Sequence, residues 1–376
     1  MKIKLQKRAF YLLHIFLKDP VLLIAALCAV LSCFITPQTN ILQHINWEVL
    51  GTLFCLMLVV AGLHKCRLFE LLAQKLLLRC HSLRILRLIL VLLPFFTSMF
   101  ITNDVALIAF VPFAISVLKM AGYPEQLIRV IVLQTIAANL GSMALPVGNP
   151  QSLFLYHYYH FSLSQYCFAL LPFVLSALPA LSIASLVGKN HQVKICFSHS
   201  CKLRNQRELI VFVLLFALCM ISVLHLLDYR LLLAVVVVSF AFMDRHLLCH
   251  IDYGLLLTFI CFFIFSGNLA QMPAAHLLLD RLMLENTMLT SLAVSQIISN
   301  VPAAIMLSGF TTNATGLLIG TNIGGLGTII ASLASLISFK YYLRSFPTRA
   351  MPYLIHFTLA NLLAMLLMLI IFQTAF

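Results

Sequence analysis

The stretch that decides the fold reads NLGSMALPVGNPQSLFLYHYY at residues 139–159, and a second copy reads NIGGLGTIIASLASLISFKYY at residues 322–342. Two further pairs occur in the same order: SMFITN at 98–103 with SQIISN at 295–300, and HINWEVL at 44–50 with HIDYGLL at 250–256. Three matched pairs in one order indicate an internal duplication. In a membrane protein, such a duplication indicates two structural repeats that share one site near the midplane.

The composition places the chain in a membrane. Of its 376 residues, 62% are hydrophobic and 9% are charged, and the mean hydropathy is +1.05. A soluble domain has about 45–50% apolar and about 25% charged residues. Several apolar runs approach the roughly 20 residues that a helix needs to cross a bilayer. We therefore predict an all-α polytopic membrane protein.

The apolar runs predict nine membrane crossings, at 20–36, 47–63, 126–157, 165–187, 208–226, 229–243, 253–270, 316–341 and 353–374. Two further apolar segments, 86–118 and 287–312, are predicted to be re-entrant helical hairpins. Their arms look shorter than a comfortable span, and their tips are polar and turn-like. The leucine spacing and basic residues of 65–87 predict an amphipathic helix on the cytoplasmic surface, with 271–286 in the matching place outside.

The duplication also predicts the organisation of the whole chain. We expect five parts: a basic cytoplasmic N-terminus at 1–19, retained because no cleavage site follows, a first repeat at 20–187, a cytoplasmic loop at 188–207, a connecting span at 208–228 and a second repeat at 229–376. Each repeat holds one hairpin and one broken helix, the latter at 126–157 and 316–341. Because five crossings, an odd number, separate the starts of the repeats, the second is predicted to be inverted.

The basic residues predict the orientation. With the N-terminus in the cytoplasm, 22 of the 24 Lys and Arg residues lie on the cytoplasmic side, and only Arg230 and Arg281 lie outside. This split follows the positive-inside rule and predicts a bacterial inner-membrane protein with its C-terminus outside. The net charge of +13 therefore predicts contact with anionic lipid in the bilayer, and no binding to nucleic acid.

The hairpin tips are the first candidate site. Asn, Ser, Thr and Asp favour helix N-caps, and Pro favours the first turn, so the second arm of each hairpin should begin at its tip. A helix N-terminus offers free N–H groups and about half a positive charge, which suits an anion. The alternative is capping without a ligand. The tip residues are Thr102, Asn103, Asp104, Ser299, Asn300, Val301 and Pro302.

The broken helices are the second candidate site. Proline and glycine interrupt a helix and free its carbonyls, and such breaks are tolerated at membrane depth where they line a cavity. The alternatives are a proline kink or close helix packing at glycine. The candidate residues here are Asn139, Gly141, Gly148, Asn149, Pro150, Asn322, Gly324 and Gly325. Free carbonyls and polar side chains predict a Na⁺ site at Asn103, Asp104, Asn139, Asn300 and Asn322.

Asp104 is the one acidic residue that we place well inside the membrane. An ionisable residue at that depth is functional by default, so Asp104 could bind a cation, carry a proton or remain a charged cap. The second tip has Val301 at the equivalent position, and we place no Lys or Arg in the site. We expect Na⁺ or H⁺ as the coupling ion, no other cofactor and no other metal.

The motifs together resemble those of one superfamily. ITNDVAL followed by PVGNPQ, and SQIISNVP followed by NIGGLG, are similar to motifs of the ion transporter superfamily, which contains arsenite permeases, D-type sodium/proton antiporters and citrate or dicarboxylate transporters. The similarity covers about residues 20–374 and is closest to anion permeases of the YbiR type. The resemblance implies an elevator-like carrier whose hairpin tips clasp the substrate. The tips here differ from the paired SNT tips of dicarboxylate carriers, which favours the arsenite-permease or antiporter branches.

These observations predict a secondary active transporter of a small anion or oxyanion, coupled to H⁺ or Na⁺. Two alternatives stay open: a Na⁺/H⁺ antiporter that uses Asp104, and an arsenite or antimonite efflux permease. The sequence has no H-E-x-x-H or G-x-G-D motif, so we expect no enzymatic activity. The sequence also leaves open whether two copies of the chain form a homodimer.

Overall fold

The computed structural model describes residues 20–36, 41–78, 80–193 and 205–375. The predicted N-terminal segment 1–19 and residues 194–204 of the predicted loop 188–207 lie outside the described residues. The described residues form 16 α-helices joined by short turns. The prediction of an all-α protein is confirmed.

The helices fall into two series around one connecting helix. The first series is α1 Pro20–Ile35, α2 Trp47–Lys65, α3 Leu68–Leu77, α4 Leu83–Thr97, α5 Asn103–Met120, α6 Leu127–Gly141, α7 Pro150–Tyr158 and α8 Leu163–Leu186. The connecting helix is α9 Gln206–Val223. The second series is α10 Tyr229–Met243, α11 Tyr253–Leu269, α12 Pro273–Ile298, α13 Asn300–Leu307, α14 Ala314–Ile323, α15 Leu333–Ser345 and α16 Ala350–Ala375.

The second series has one helix fewer because α12 takes the place of both α3 and α4. Its backbone leaves the helical region at Asn286 (φ −161°, ψ 94°). The Asn286 side chain then accepts a hydrogen bond from the Leu289 N–H at 2.9 Å, as an N-cap does. A new helical segment therefore begins after Asn286, at the predicted start of the second hairpin.

Six segments of the described chain are long and apolar enough to cross a bilayer: Trp47–Lys65, Asn103–Met120, Pro124–Ala144, Leu163–Leu186, Gln206–Val223 and Ala350–Ala375. In Ala350–Ala375 only 17% of an 18-residue apolar stretch is buried inside the protein. An apolar helix with so much exposed surface is stable where lipid covers it. The chain is a multi-pass helical membrane protein.

Two predictions about the helices are wrong. The amphipathic helix expected at 65–87 is divided among the end of α2, the short α3 and the start of α4, because Arg67 adopts a left-handed conformation (φ 59°) between α2 and α3. The hairpin arm expected to be short is α5, which has 18 residues and is itself long enough to span. Its helix begins at the tip and continues to Met120.

The packing of the two series is reciprocal. Helix α1 packs on α11 and α10 on α2, while α5 packs on α15 and α13 on α7. Helix α4 packs on α6, and helix α12 packs on α14. Two groups result: a peripheral bundle of α1, α2 and α9–α11, and a central bundle of α4–α8 and α12–α16. The bundles meet along α2–α7 and α11–α13, and this junction positions the candidate site.

One ion-pair network joins three helices of the peripheral bundle. Lys65 Nζ lies 2.7 Å from Asp244 Oδ2 and 3.3 Å from Glu208 Oε2. Lys65 ends α2, Asp244 follows the end of α10, and Glu208 lies in the first turn of α9. The hydrogen bond from Lys65 holds the pKa of Asp244 below its usual value. Because the three side chains are partly exposed, the pairs contribute little stability and mainly fix the relative position of the helix ends.

Candidate functional site

Both segments predicted to be hairpin tips, which we continue to call the tips, are helix starts, as predicted. Helix α5 begins at Asn103 after an extended Thr102, and α13 begins at Asn300 after Ser299. Asn103 Oδ1 accepts from the next N–H at 3.0 Å, and Asn300 Oδ1 does the same at 2.9 Å. The equivalent asparagines of the two copies therefore have the same local role.

The second tip is strained. Ser299 has φ 76° and ψ 155°, a conformation that residues other than glycine rarely adopt. Its hydroxyl and the Asn300 N–H both donate to the Ala331 carbonyl, at 3.2 and 2.9 Å. These bonds fasten the tip to the second break, and they compensate for part of the strain.

Both predicted helix breaks are present. Helix α6 ends at Gly141, two 3₁₀ turns follow, and α7 begins at Pro150. Helix α14 ends at Ile323 and α15 begins at Leu333. A Cβ added at Gly141 would lie 2.1 Å from the Phe95 carbonyl oxygen, and one at Gly148 would lie 2.1 Å from that of Ser142. The structure thus gives these two glycines a packing role, because the backbone passes too close for a side chain.

Each break is tied to the opposite one by equivalent residues. Asn149 Nδ2 donates to Asn322 Oδ1 at 3.0 Å, and Ser332 Oγ donates to Asn139 Oδ1 at 3.3 Å. In the two aligned copies, Asn149 matches Ser332 and Asn139 matches Asn322. In each copy, one residue lies just before the second half of the broken helix: Asn149 in the first copy and Ser332 in the second. Each of them donates to the asparagine near the end of the first half in the other copy, which is Asn322 or Asn139. We call this pair of hydrogen bonds the reciprocal interlock.

A chain of contacts connects the two tips. Asn103 Nδ2 donates to Asn139 Oδ1 at 2.9 Å, and Asn139 Nδ2 donates to the Gly325 carbonyl at 3.4 Å. The Asn300 amide lies against Gly325, since a Cβ added there would be 2.8 Å from Asn300 Nδ2. Three of the four asparagines predicted at the tips and helix ends thus lie along one continuous path, and all of them are buried.

The other predicted residues surround this path. Thr102, Asp104 and Pro150 line a cavity that reaches the first tip. A Cβ on Gly324 would lie 2.7 Å from that of Ser295, so this glycine permits close packing of α14 on α12. The two residues that follow the second tip's asparagine, Val301 and Pro302, are buried in the first turn of α13.

Sequence reasoning missed several polar contacts. Gln296 Nε2 donates to the carbonyls of Gly324 at 2.8 Å and Leu326 at 2.9 Å, so carbonyls expected to be free for an ion already have a donor. Ser152 Oγ bonds Asn322 Oδ1 at 3.2 Å. The alignment with Asn149 could have identified Ser332. Gln296 gave no such signal, because its counterpart in the first copy is Met99.

The first cavity, of about 760 Å³, lies between the bundles at the C-terminal end of α2. It runs from Lys65 and Lys340 to Thr102 and Asp104. Asp104 Oδ1 is buried and has no hydrogen-bond partner within the described part of the chain. The sequences of the tips and breaks contain no Lys or Arg, but Lys65 and Lys340 line the cavity that leads to the first tip.

The second cavity, of about 590 Å³, lies at the other end of α2. Its wall includes Trp47 and Glu48 from α2, and Phe154 and Ile305 from the central bundle. It meets α7 and α13 beyond their first turns, and no tip residue is among its lining residues in the described chain. Of these two cavities, the one at the Lys65 end therefore reaches the candidate site.

Comparisons with known proteins identify the family. A family profile described as "Citrate transporter" matches residues 11–316. The chain is 30% identical over 302 residues to Uncharacterized transporter MJ0456 of Methanocaldococcus jannaschii, covering 80% of this chain and 82% of that protein. It is 29% identical over 303 residues to Inner membrane protein YbiR of Escherichia coli, covering 79% and 80%. A shorter stretch of 109 residues is 28% identical to a Dictyostelium discoideum protein named as the transporter arsB, covering 29% and 19%. The chain belongs to the citrate transporter family and is a membrane transporter.

Proposed function

We propose that the chain is a secondary active transporter that moves a small anion or oxyanion together with H⁺ or Na⁺. The observation that carries the proposal is the buried path Asn103–Asn139–Gly325–Asn300, which joins the starts of α5 and α13. Both helix starts place partial positive charge at this path, and the side-chain amides of Asn103 and Asn300 add polar groups to it. An anion held there needs no arginine clamp, which agrees with the absence of basic residues at the tips.

The coupling ion is assigned to Asp104 and the amide groups beside it. A carboxylate at membrane depth is costly unless a cation or proton accompanies it. Asp104 Oδ1 is buried without a protein donor among the described residues, and it faces the first cavity together with Asp252. A cation would neutralise this carboxylate before an anion enters the same dry site. We assign the further Na⁺ ligands to the oxygens of Asn103, Asn139, Asn300 and Asn322, which would exchange a present hydrogen-bond donor for the cation.

The transport step is proposed to be elevator-like, between inverted repeats. The central bundle carries both tips and both breaks and meets the peripheral bundle along α2–α7 and α11–α13. The reciprocal packing of equivalent helices supports a pseudo-two-fold relation between the repeats. Taking the N-terminus as cytoplasmic from the 22-to-2 distribution of basic residues, the first cavity opens to the cytoplasm of a bacterial inner membrane. The described conformation is then inward-facing.

Two alternatives rest on particular observations. Asp104, whose buried Oδ1 has no hydrogen-bond partner among the described residues, favours a Na⁺/H⁺ antiporter, in which the same carboxylate exchanges the two cations. The resemblance of the tip motifs to those of arsenite permeases favours an arsenite or antimonite efflux permease, whose substrate would occupy the tips. We place the anion carrier first because the tips present two helix N-termini, which attract anions and disfavour cations.

The proposal is tested with purified protein in two steps. Thermal shifts over oxyanions, carboxylates and arsenite, each with and without Na⁺, identify the ligand, since binding to the folded state alone raises stability. Uptake into proteoliposomes then follows that ligand under imposed pH and Na⁺ gradients. We expect anion uptake driven by one gradient, and near-complete loss of uptake in Asn103→Ala. Exchange of Na⁺ for H⁺ with no anion requirement would instead establish the antiporter.

Asp104→Asn separates coupling from binding. The substitution keeps the size of the side chain and removes its charge. We expect the variant to retain anion binding while its uptake loses its dependence on pH or Na⁺. If wild type and Asp104→Asn respond alike to both gradients, Asp104 is a structural residue, and coupling resides in the breaks.

A further inference from the structure

Three metal-ligating side chains meet beside the second cavity, away from the tips. Glu48 lies in the first turn of α2, His157 near the end of α7, and His225 in the turn between α9 and α10. Glu48 Oε1 is 3.3 Å from His157 Nδ1 and 3.7 Å from His225 Nδ1. One ligand atom from each residue lies within 4.8 Å of the other two.

These separations suit a small divalent ion. Zinc binds imidazole nitrogen and carboxylate oxygen at about 2.0–2.2 Å in a tetrahedron, which places its ligands about 3.3–3.5 Å apart. The two distances to Glu48, 3.3 and 3.7 Å, lie at or near that range. The ligand atoms of the two imidazoles lie within 4.8 Å of each other, and the excess over the tetrahedral spacing can close by a small shift of His225, whose side chain is 33% exposed.

His157 provides the second, independent observation. It is 3% exposed, and neither ring nitrogen forms a hydrogen bond within the described part of the chain. Leaving a buried polar atom without a partner is costly. Aromatic contacts fix both imidazoles: the His157 ring meets the His225 ring edge-on at 4.7 Å, and Tyr156 stacks on His225 at 5.4 Å. The two rings are therefore held next to the Glu48 carboxylate before any ion binds.

We propose that Glu48, His157 and His225 form a binding site for a divalent transition metal of the zinc class, with a fourth position open to water. Two imidazoles and one carboxylate select Zn²⁺, Co²⁺ or Ni²⁺, whereas Mg²⁺ and Ca²⁺ require oxygen ligands. This site is separate from the one at the tips, and its existence does not depend on what the protein transports.

The position of the site gives the metal a consequence for transport. Glu48 and His225 belong to the peripheral bundle, while His157 belongs to the central bundle. A metal ion bound to all three joins the bundles in the conformation that is open at the first cavity. At a free metal concentration of 100 times Kd, that conformation is favoured about 100-fold over one that cannot bind the ion. The metal therefore acts as an inhibitor, and this part rests on the proposed elevator-like function.

Binding is tested first, with Co²⁺ as the probe. Protein in detergent is freed of metal with a chelator and titrated with Co²⁺, whose visible absorption becomes intense in a tetrahedral site. We expect one equivalent to bind and Zn²⁺ to displace it. His225→Asn, which retains a residue that tolerates the positive φ of 60° at this position, and Glu48→Gln should each weaken binding at least tenfold.

His160→Asn is the matched control for the binding experiment, since asparagine also tolerates the positive φ of 50° at this position. His160 lies in the same region, with its ring 6.2 Å from that of His225, but it is not one of the three grouped ligands. Its substitution should leave the Co²⁺ titration unchanged. Absence of the tetrahedral band in wild type, or an equal band in His225→Asn and Glu48→Gln, would overturn the site.

The inhibitory effect is then measured in proteoliposomes. Zn²⁺ at 100 times the measured Kd should reduce wild-type uptake more than tenfold and leave His225→Asn unaffected. Equal inhibition of both proteins, or none of wild type, would overturn the locking role even if the metal binds. Uptake by both proteins without metal is the reference, so a failure of the proposed transport is recognised separately.

Discussion

Asn149 offers the sharpest test of the reciprocal interlock, because one side chain has two separable roles. Its Oδ1 caps α7 by accepting from the Ser152 N–H at 2.9 Å, and its Nδ2 donates across to Asn322 at 3.0 Å. Asn313 is the matched control, since it caps α14 by accepting from the Gly316 N–H at 2.9 Å. Substituting Asn149 by Ala removes the cap, the cross-repeat bond and a second Nδ2 bond, to Ser142 Oγ at 3.1 Å, whereas Asn313→Ala removes the cap.

The expected magnitudes follow from these bonds. Loss of an N-cap costs about 0.5–2 kcal/mol, and a hydrogen bond between helices in a membrane contributes about 0.6–1.7 kcal/mol. Because Asn149→Ala loses the cross-repeat bond and the bond to Ser142, it should lower the free energy of unfolding by at least about 0.6–1.7 kcal/mol more than Asn313→Ala does. Unfolding by SDS in mixed micelles measures both values.

A double-mutant cycle isolates the cross-repeat bond itself. Asn149→Ala and Asn322→Ala are combined, and the coupling free energy is the difference between the double variant and the sum of the singles. We expect a coupling of about 0.6–1.7 kcal/mol. A coupling near zero, together with equal losses for Asn149→Ala and Asn313→Ala, would refute the interlock as an energetic connection between the repeats.

Three further predictions concern the site, the orientation and the packing. Asn300→Ala should insert normally but lose most uptake, and near-normal uptake by the well-expressed variant would count against the two-tip site. In a cysteine-free background, Lys189→Cys should be labelled only from the cytoplasm and Ser164→Cys only from outside; the reverse pattern would invert the proposed orientation. Gly141→Ala should lower stability by at least about 1–3 kcal/mol, as overpacking does, because its Cβ meets a carbonyl oxygen at 2.1 Å. Gly309→Ala, whose nearest neighbour would be 3.9 Å away, should be close to wild type, and equal effects in a thermal unfolding assay would contradict this account.

The sequence was informative where a local feature dictates structure. Asparagine at a turn, with proline or an acid after it, predicted the helix starts at Asn103 and Asn300. Proline and glycine predicted both breaks. Leucine spacing misled at 65–87, because it runs through a position where Arg67 takes a left-handed conformation and ends α2. A side-chain pattern carries no information about one backbone torsion at its centre.

Contacts across the repeats were beyond prediction from one sequence. The carbonyls of the second break are occupied by Gln296, which has no polar counterpart in the first copy. Likewise, Glu48, His157 and His225 are widely separated in the chain, and none belongs to a metal-binding motif. Only the packing of α2, α7 and the α9–α10 turn brings them together, so their chemistry emerges from tertiary structure alone.

The differences between the two copies indicate which residues act in each step of the proposed transport. The duplicated sequence gives both tips an asparagine that bonds the next N–H and gives both breaks an equivalent cross-bond, so either tip can present the positive end of a helix dipole to an anion. The first tip has a carboxylate where the second has Val301, and of the two cavities that the described residues form along α2, the first reaches its tip. If the central bundle moves as a unit, Asp104 moves with the anion and faces the second cavity at the end of the step. One carboxylate placed in one of two equivalent tips is then sufficient to couple a cation to every substrate molecule, because both ligands share a single moving site.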